Sequence, residues 1–191
     1  MSARIVVLAS GSGTLLQSVI DAAAAGRLAA DVVAVGSDIP GVMALTRAEQ
    51  AGIPVFVEQP ADHPDRRAWD SALLTRLCSF DPDWVVSAGF MRVLGAAVVD
   101  AFPGRIINTH PALLPAFAGA YGVRDALRYG VKVSGCTVHV VDHGVDTGPI
   151  LAQRAVKVLP GDDEASLHER IKEVERTLLV ETLAQLIGEN Q

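Results

Sequence analysis

Three short segments carry side chains whose types and spacing could do chemistry. The first, Ala9-Ser10-Gly11-Ser12-Gly13-Thr14, joins an apolar run to a helical pattern. Such a turn offers free backbone N–H groups and the positive end of a helix to an anion, which suits a phosphate cradle. It is not a dinucleotide fingerprint, because Leu16 stands where the third glycine would be, nor a P-loop, because no Gly-Lys-Ser/Thr follows. Read alone, it is equally a tight strand-to-helix connection. The second segment is Asn108-Thr109-His110-Pro111. Strand alternation puts Asn108 and His110 on one face, and the proline ends the strand. An amide donor beside an imidazole can stabilise a developing oxyanion and move a proton near neutral pH; an Asn and a His that merely bond a loop would be spelled the same way. The third, Asp142-His143-Gly144-Val145-Asp146-Thr147-Gly148-Pro149, supplies two carboxylates. Asp146 set against His110 would raise the imidazole pKa and stabilise its cation. An ordinary Asp/Gly turn between strands is the plainer reading.

To position such loops the chain needs strands with helices between them, and its pattern supplies both. Short β-branched runs alternate with helical patterns: Ile5–Leu8 then Thr14–Ala25, Val32–Val35 then Val42–Gln50, Val55–Val57 then Arg66–Leu77, Trp84–Val86 then Val93–Ala101, and Arg105–Asn108. The alternation predicts an α/β fold, an open and mostly parallel twisted sheet with helices on both faces. Gly26 and Gly52 fall where helix C-termini want glycine, and Pro54 and Pro82 stand just before strands. The strand cores are apolar without alternation, as burial on both faces requires. After about residue 130 the rhythm changes. Val133–Val141 and Ile150–Val158 read as antiparallel or mixed strands at one side of the sheet, and Ala165–Ile187 as a long amphipathic helix. No repeat or linker divides residues 1–191, so one domain is expected.

Composition narrows the function classes. The chain has 191 residues, 16 basic against 22 acidic side chains and a net charge of −6, so it has no global basic footprint for nucleic acid. No apolar stretch approaches the roughly 20 residues that span a bilayer. The N-terminal apolar run is too short and wrongly flanked for a secretory signal, so a cytoplasmic setting is expected. Cys78 and Cys136 have no partners at metal-ligand spacing and read as small hydrophobes, and no metal is expected.

Those three segments in that order, with Ala88-Gly89-Phe90-Met91-Arg92-Val93-Leu94 between the first two, closely resemble the folate-dependent formyltransferases, above all the branch that formylates glycinamide ribonucleotide in purine synthesis. The resemblance runs from Ile5 to about Leu179 and implies a Rossmann-like formyltransferase fold, with 10-formyltetrahydrofolate as co-substrate. It implies that Asn108, His110 and Asp146 form the catalytic triad. Gly11, Ser12, Gly13, Thr14 and Leu15 would hold the ribonucleotide phosphate, and Glu175, with Lys172 one turn away, its ribose. Met91, Arg92, Val93 and Leu94, together with Asp142, His143, Gly144, Val145 and Asp146, would line the folate pocket. Arg66 resembles an arginine near the folate's glutamate tail, with a solvated helix charge as the alternative. His139 resembles a position near the active site, but a strand histidine satisfied by a neighbour fits as well. His63, His143 and His168 have no catalytic counterpart and read as surface or loop histidines, and Trp69 and Trp84 as packing residues.

The chain departs from the family pattern in three places. After Leu113-Leu114-Pro115 it reads Ala116-Phe117-Ala118-Gly119-Ala120-Tyr121-Gly122, where relatives commonly carry a Pro-Gly pair and a histidine. Ser12 and Leu15 stand where many relatives have Asn, which leaves backbone N–H groups as the main phosphate ligands. The C-terminus stops soon after the long helix, whereas many relatives continue. The expected partners are small molecules, with no nucleic acid or membrane, acting on a monomer or homodimer. The rival readings are another folate-dependent formyltransferase, a formyl-folate hydrolase, and a non-catalytic ligand-binding relative.

Overall fold

In the computed structural model, which describes residues 2–189, seven strands form one sheet in the order β3-β2-β1-β4-β5-β6-β7. The strands are β1 (Ala3–Leu8), β2 (Ala30–Ser37), β3 (Val55–Val57), β4 (Trp84–Ser87), β5 (Ile106–His110), β6 (Val133–Val140) and β7 (Ile150–Lys157). The first five pair in parallel, while β6 and β7 run antiparallel to their neighbours. The helices are α1 (Thr14–Ala24), α2 (Met43–Gln50), α3 (Arg66–Ser79), α4 (Ala96–Ala101), α5 (Gly122–Tyr129) and α6 (Glu164–Glu189).

Strand alternation divides the core in two. Ile5 and Val7 of β1 join Leu16 and Val19 of α1, Ala44 and Ala48 of α2, Val123 of α5 and Ile171 and Leu179 of α6. Val6 and Leu8 join Trp69, Leu73 and Leu77 of α3 and Val98 and Val99 of α4. Both faces of the sheet are therefore covered, which is why its strands read as unbroken apolar runs. Among the described residues no helix is long and apolar enough to cross a membrane.

Four elements differ from the sequence reading. The helix expected over Val93–Ala101 starts only at Ala96, after Gly95 as N-cap. The chain from Met91 to Gly95 is irregular because other loops hold it, as described below. Strand β5 continues past Asn108 to His110, since Thr109 and His110 pair with Val138 and Thr137 of β6. A short 3₁₀ turn covers Pro60–Asp62. Helix α5 was not anticipated; its buried Val123 and Ala126 give too short a periodic signal in eight residues.

The strand order reverses around β1, which has β2 on one side and β4 on the other. In open α/β sheets the crevice at such a reversal, outside the carboxyl ends of the strands, is where ligands bind. Here the loops that follow β1, β2 and β4 meet at it.

Candidate active site

A cavity of about 470 Å³ opens along these strand ends, lined by the turn Ser10–Leu15, the segment Ser87–Leu94, residues Asn108–Pro111, part of the loop Val141–Asp146, and His168, Lys172 and Glu175 of α6. At one end lies the glycine turn. Gly13 has φ of 70°, and a Cβ there would sit 2.7 Å from the Ala44 Cα, so the turn packs directly on the start of α2. Its carbonyls are tied from that side: the Ala44 N–H donates to Gly11 O at 3.1 Å, and Arg47 Nε donates to Ser12 O at 2.9 Å. Gly13, the N-cap residue of α1, has no side chain to cap the helix, which leaves its first N–H groups to face an anion.

Beside it Met91, Val93 and Leu94 supply an apolar wall. The Met91 N–H donates to Ser10 Oγ at 2.8 Å, and an Arg66 guanidinium N–H donates to Val93 O. Arg66 also pairs with Asp70 at 2.8 Å and lies over the Trp69 ring. It thus stands behind the wall rather than in the cavity. His143 is likewise outside the cavity, exposed and paired with Asp100 at 3.2 Å, although its neighbours Asp142, Gly144, Val145 and Asp146 line it.

The same cavity holds a cluster of buried and half-buried polar groups. Asn108 and His110 share a face of β5, and the antiparallel register sets His139 of β6 opposite Asn108. Asn108 Nδ2 lies 3.1 Å from His139 Nε2, and His139 Nδ1 lies 2.9 Å from Val140 O. A carbonyl can only accept, so His139 carries a proton on Nδ1, while its Nε2 faces both the Asn108 amide and the Asp146 carboxylate. An amide carries two hydrogens, so Asn108 can offer one to a ligand beyond its contact with His139. Asp146 completes the cluster, with Oδ2 at 3.3 Å from His110 Nδ1 and Oδ1 at 3.5 Å from His139 Nε2. Its φ of 55° is left-handed, a conformation that Asp tolerates better than most residues but that still marks a constrained position.

The loop Pro115–Tyr121 folds over this cluster. His110 Nε2 donates to Phe117 O at 2.8 Å, and the Gly119 N–H donates to Asp146 Oδ2 at 2.7 Å. Both ring nitrogens of His110 therefore face acceptors, which favours the imidazolium. Burial outweighs them and pushes the His110 pKa below the usual histidine value, with the Asp146 carboxylate and the Phe117 carbonyl pulling it back only in part. The expected rise driven by Asp146 is thus present as a contribution and overturned as a net effect. Asp146 itself is held below the ordinary carboxylate range by its contacts with His139 and with the Gly119 N–H.

Thr109 points to the opposite face, where its hydroxyl meets Glu175 of α6. Glu175 is 3% exposed, and burial lifts its pKa to about 7 against the pull of Thr109, Lys172 and Arg176. His168, Lys172 and Glu175, at helical spacings of four and three, form one stripe of α6 along the cavity. Burial and the neighbouring Lys172 lower the His168 pKa.

All the site positions expected from the sequence line this cavity except Arg66 and His143. His139 and His168 prove to belong to it. The signal for His168 was available as its spacing from Lys172 and Glu175, whereas His139 needed the pairing register of β5 with β6.

Comparison with known proteins places the chain among relatives of one family. Residues 3–183 match the family model described as formyl transferase. The chain is 59% identical, over 184 residues covering 96% of it and 85% of the relative, to a phosphoribosylglycinamide formyltransferase of Mycobacterium tuberculosis. Among solved structures it superposes with TM-score 0.94 and 46% identity on glycinamide ribonucleotide transformylase 1 from Symbiobacterium toebii, covering 96% of this chain and 86% of that one. The match to phosphoribosylglycinamide formyltransferase from Bacillus halodurans has TM-score 0.95 and 39% identity, covering 98% and 97%.

Proposed function

The chain belongs to the formyl transferase family, and we propose that it transfers the formyl group of 10-formyltetrahydrofolate to the amine of glycinamide ribonucleotide. The observation that carries this reading is that the Asn108–His110–His139–Asp146 cluster, an anion turn and an apolar wall all line one cavity. The turn Gly11–Leu15 takes the phosphate through backbone N–H groups, and Glu175 and Lys172 reach the ribose. Met91–Leu94 and the loop Asp142–Asp146 receive the planar ring of the folate. The two substrates then meet at the cluster.

The neutral amine attacks the formyl carbon, and charge develops on the formyl oxygen. The free amide hydrogen of Asn108 and an N–H of His110 stabilise that charge, the largest single contribution such a site can make. Asp146, 3.3 Å from His110 Nδ1, favours the imidazolium as the oxyanion forms. The proton lost by the attacking amine goes to folate N10 as the carbon–nitrogen bond there breaks, so neither a serine nor a cysteine nucleophile is required. Because Phe117 O holds the Nε2–H of His110, the loop Pro115–Tyr121 must release it before the ring can face substrate.

The test follows the absorbance of the formyl donor with and without glycinamide ribonucleotide. Loss of the formyl group only when the ribonucleotide is present is expected, and loss without it would instead make the protein a hydrolase. His110→Ala should lower kcat by about 10²- to 10³-fold while ribonucleotide binding persists. Unchanged turnover in that variant would overturn the catalytic assignment.

A further inference from the structure

We propose that Asp38 is a positioning residue for the folate-facing segment, resting on the reading of that segment given above. Asp38 follows β2, lies outside the cavity lining, and has a side chain only 1% exposed. Its two carboxylate oxygens are divided between two loops. Oδ1 accepts from Ser10 Oγ at 2.5 Å, and Oδ2 accepts from Arg92 Nε at 2.7 Å. Ser10 Oγ in turn accepts the Met91 N–H at 2.8 Å, and the Ser10 N–H donates to Gly89 O at 3.0 Å.

The direction of each bond matters. A hydroxyl has one hydrogen, and a carboxylate that can only accept fixes that hydrogen on Asp38, which leaves the lone pairs of Ser10 for Met91. Asp38 thus orients Ser10 as an acceptor and holds the Arg92 guanidinium at the same time. The loops after β1, β2 and β4 are locked together, and the consequence falls on Gly89–Arg92. The phosphate-binding N–H groups of the turn take no part in this set of bonds.

Asparagine at position 38 has nearly the same shape but can accept through one atom only. Its amide group would face either the Arg92 Nε–H or the Ser10 hydroxyl, donor against donor in the first case and with the Ser10 hydrogen displaced in the second. Asp38→Asn should therefore raise the KM for the formyl donor roughly tenfold, as expected for loss of a hydrogen bond to a charged group. The KM for the ribonucleotide should stay within about twofold and kcat should fall less than the donor KM rises. The double variant Asp38→Asn/Arg92→Ala should be no worse than Arg92→Ala alone by more than about twofold, because without Arg92 the asparagine is free to turn its one acceptor oxygen to Ser10.

Initial rates over both substrates in the four proteins decide the matter. A donor KM that is unmoved while the wild-type protein turns over, or two KM values that rise together, would overturn the positioning role. Additive effects in the double variant would overturn it too. Should Asp38→Asn fail to fold, Ser10→Ala removes the link to Met91 while keeping the Asp38–Arg92 pair, and it should raise the donor KM severalfold without moving the ribonucleotide KM. Absence of turnover in the wild-type protein would instead strike the functional reading, and the two failures are thus separable.

Discussion

Gly148 gives access to the catalytic cluster without touching substrate. A Cβ at this position would lie 1.9 Å from Val140 O and 3.0 Å from its carbonyl carbon, and real Cβ contacts essentially never fall below 3.0 Å. The neighbouring atoms belong to the main chain, so no flexible side chain can swing aside. Gly148→Ala therefore forces residue 148 and the Val140 carbonyl apart by about 1 Å in a close-packed setting. That carbonyl accepts from His139 Nδ1 at 2.9 Å, and the Val140 N–H is itself bonded to Pro149 O at 2.9 Å. The imidazole must follow the carbonyl or lose the partner that sets its tautomer. In either case the contact of His139 Nε2 with Asn108 at 3.1 Å is disturbed. Misplacement of a catalytic group by about 1 Å costs on the order of 10²-fold in rate, and overpacking costs about 1–3 kcal/mol in stability. Steady-state rates at a temperature where both proteins are folded, with thermal melts in parallel, should show kcat down about 10²-fold and the ribonucleotide KM within about twofold. A variant with a lowered melting temperature but undiminished kcat would refute the chain of reasoning from Val140 through His139 to Asn108.

Two further predictions concern α6. The folded-state pKa of Glu175 is about 7 against an ordinary value of 4.5, so the folded protein binds an extra proton between those values and loses stability as pH rises through that window. Glu175→Gln should therefore be more stable than wild type by about 2–3 kcal/mol at pH 8, with the difference gone below about pH 4. Denaturant titrations across that range test it, and a difference that does not change with pH would sink the argument. His168→Ala should raise the ribonucleotide KM roughly three- to tenfold, the equivalent of one hydrogen bond, and leave the donor KM alone. A rise confined to the donor KM would place His168 at the wrong end of the cavity.

Most of the sheet was legible because its strands are buried on both faces and its helices carry clear punctuation. Val6-Val7-Leu8 and Trp84-Val85-Val86 can hardly be anything but interior strands, and Gly26 and Gly52 mark where helices stop. Asn108 and His110 were legible as a pair because period-two alternation is a local property. What the sequence hid depends on distant pairing. His139 reaches Asn108 only through the β5–β6 register, and Asp38 reaches Arg92 across 54 positions of chain. Val93–Gly95 looked like the start of a helix because Val93 and Leu94 continue the apolar pattern of the helix that follows. Tertiary hydrogen bonds from Ser10 and Arg66 decide otherwise. The bonds of Arg66 to Asp70 and to Val93 O were hidden in the same way, since the second spans 27 positions of chain. The net pKa of His110 was misjudged because an ion partner can be guessed from a motif, whereas burial cannot.

The glycine turn has a consequence for timing. Its carbonyls are fastened to α2, its N-terminal side to the loop after β4, and Gly13 packs directly on Ala44 before any ligand is present. Little chain has to become ordered when a phosphate arrives, so capture of the ribonucleotide carries a small entropic penalty and proceeds at the pace of encounter. His110 at that moment is still held by the carbonyl of Phe117. On the proposed reading capture would come before arming: the first substrate would meet a finished surface, and the imidazole would be freed only afterwards, when the loop Pro115–Tyr121 lets go.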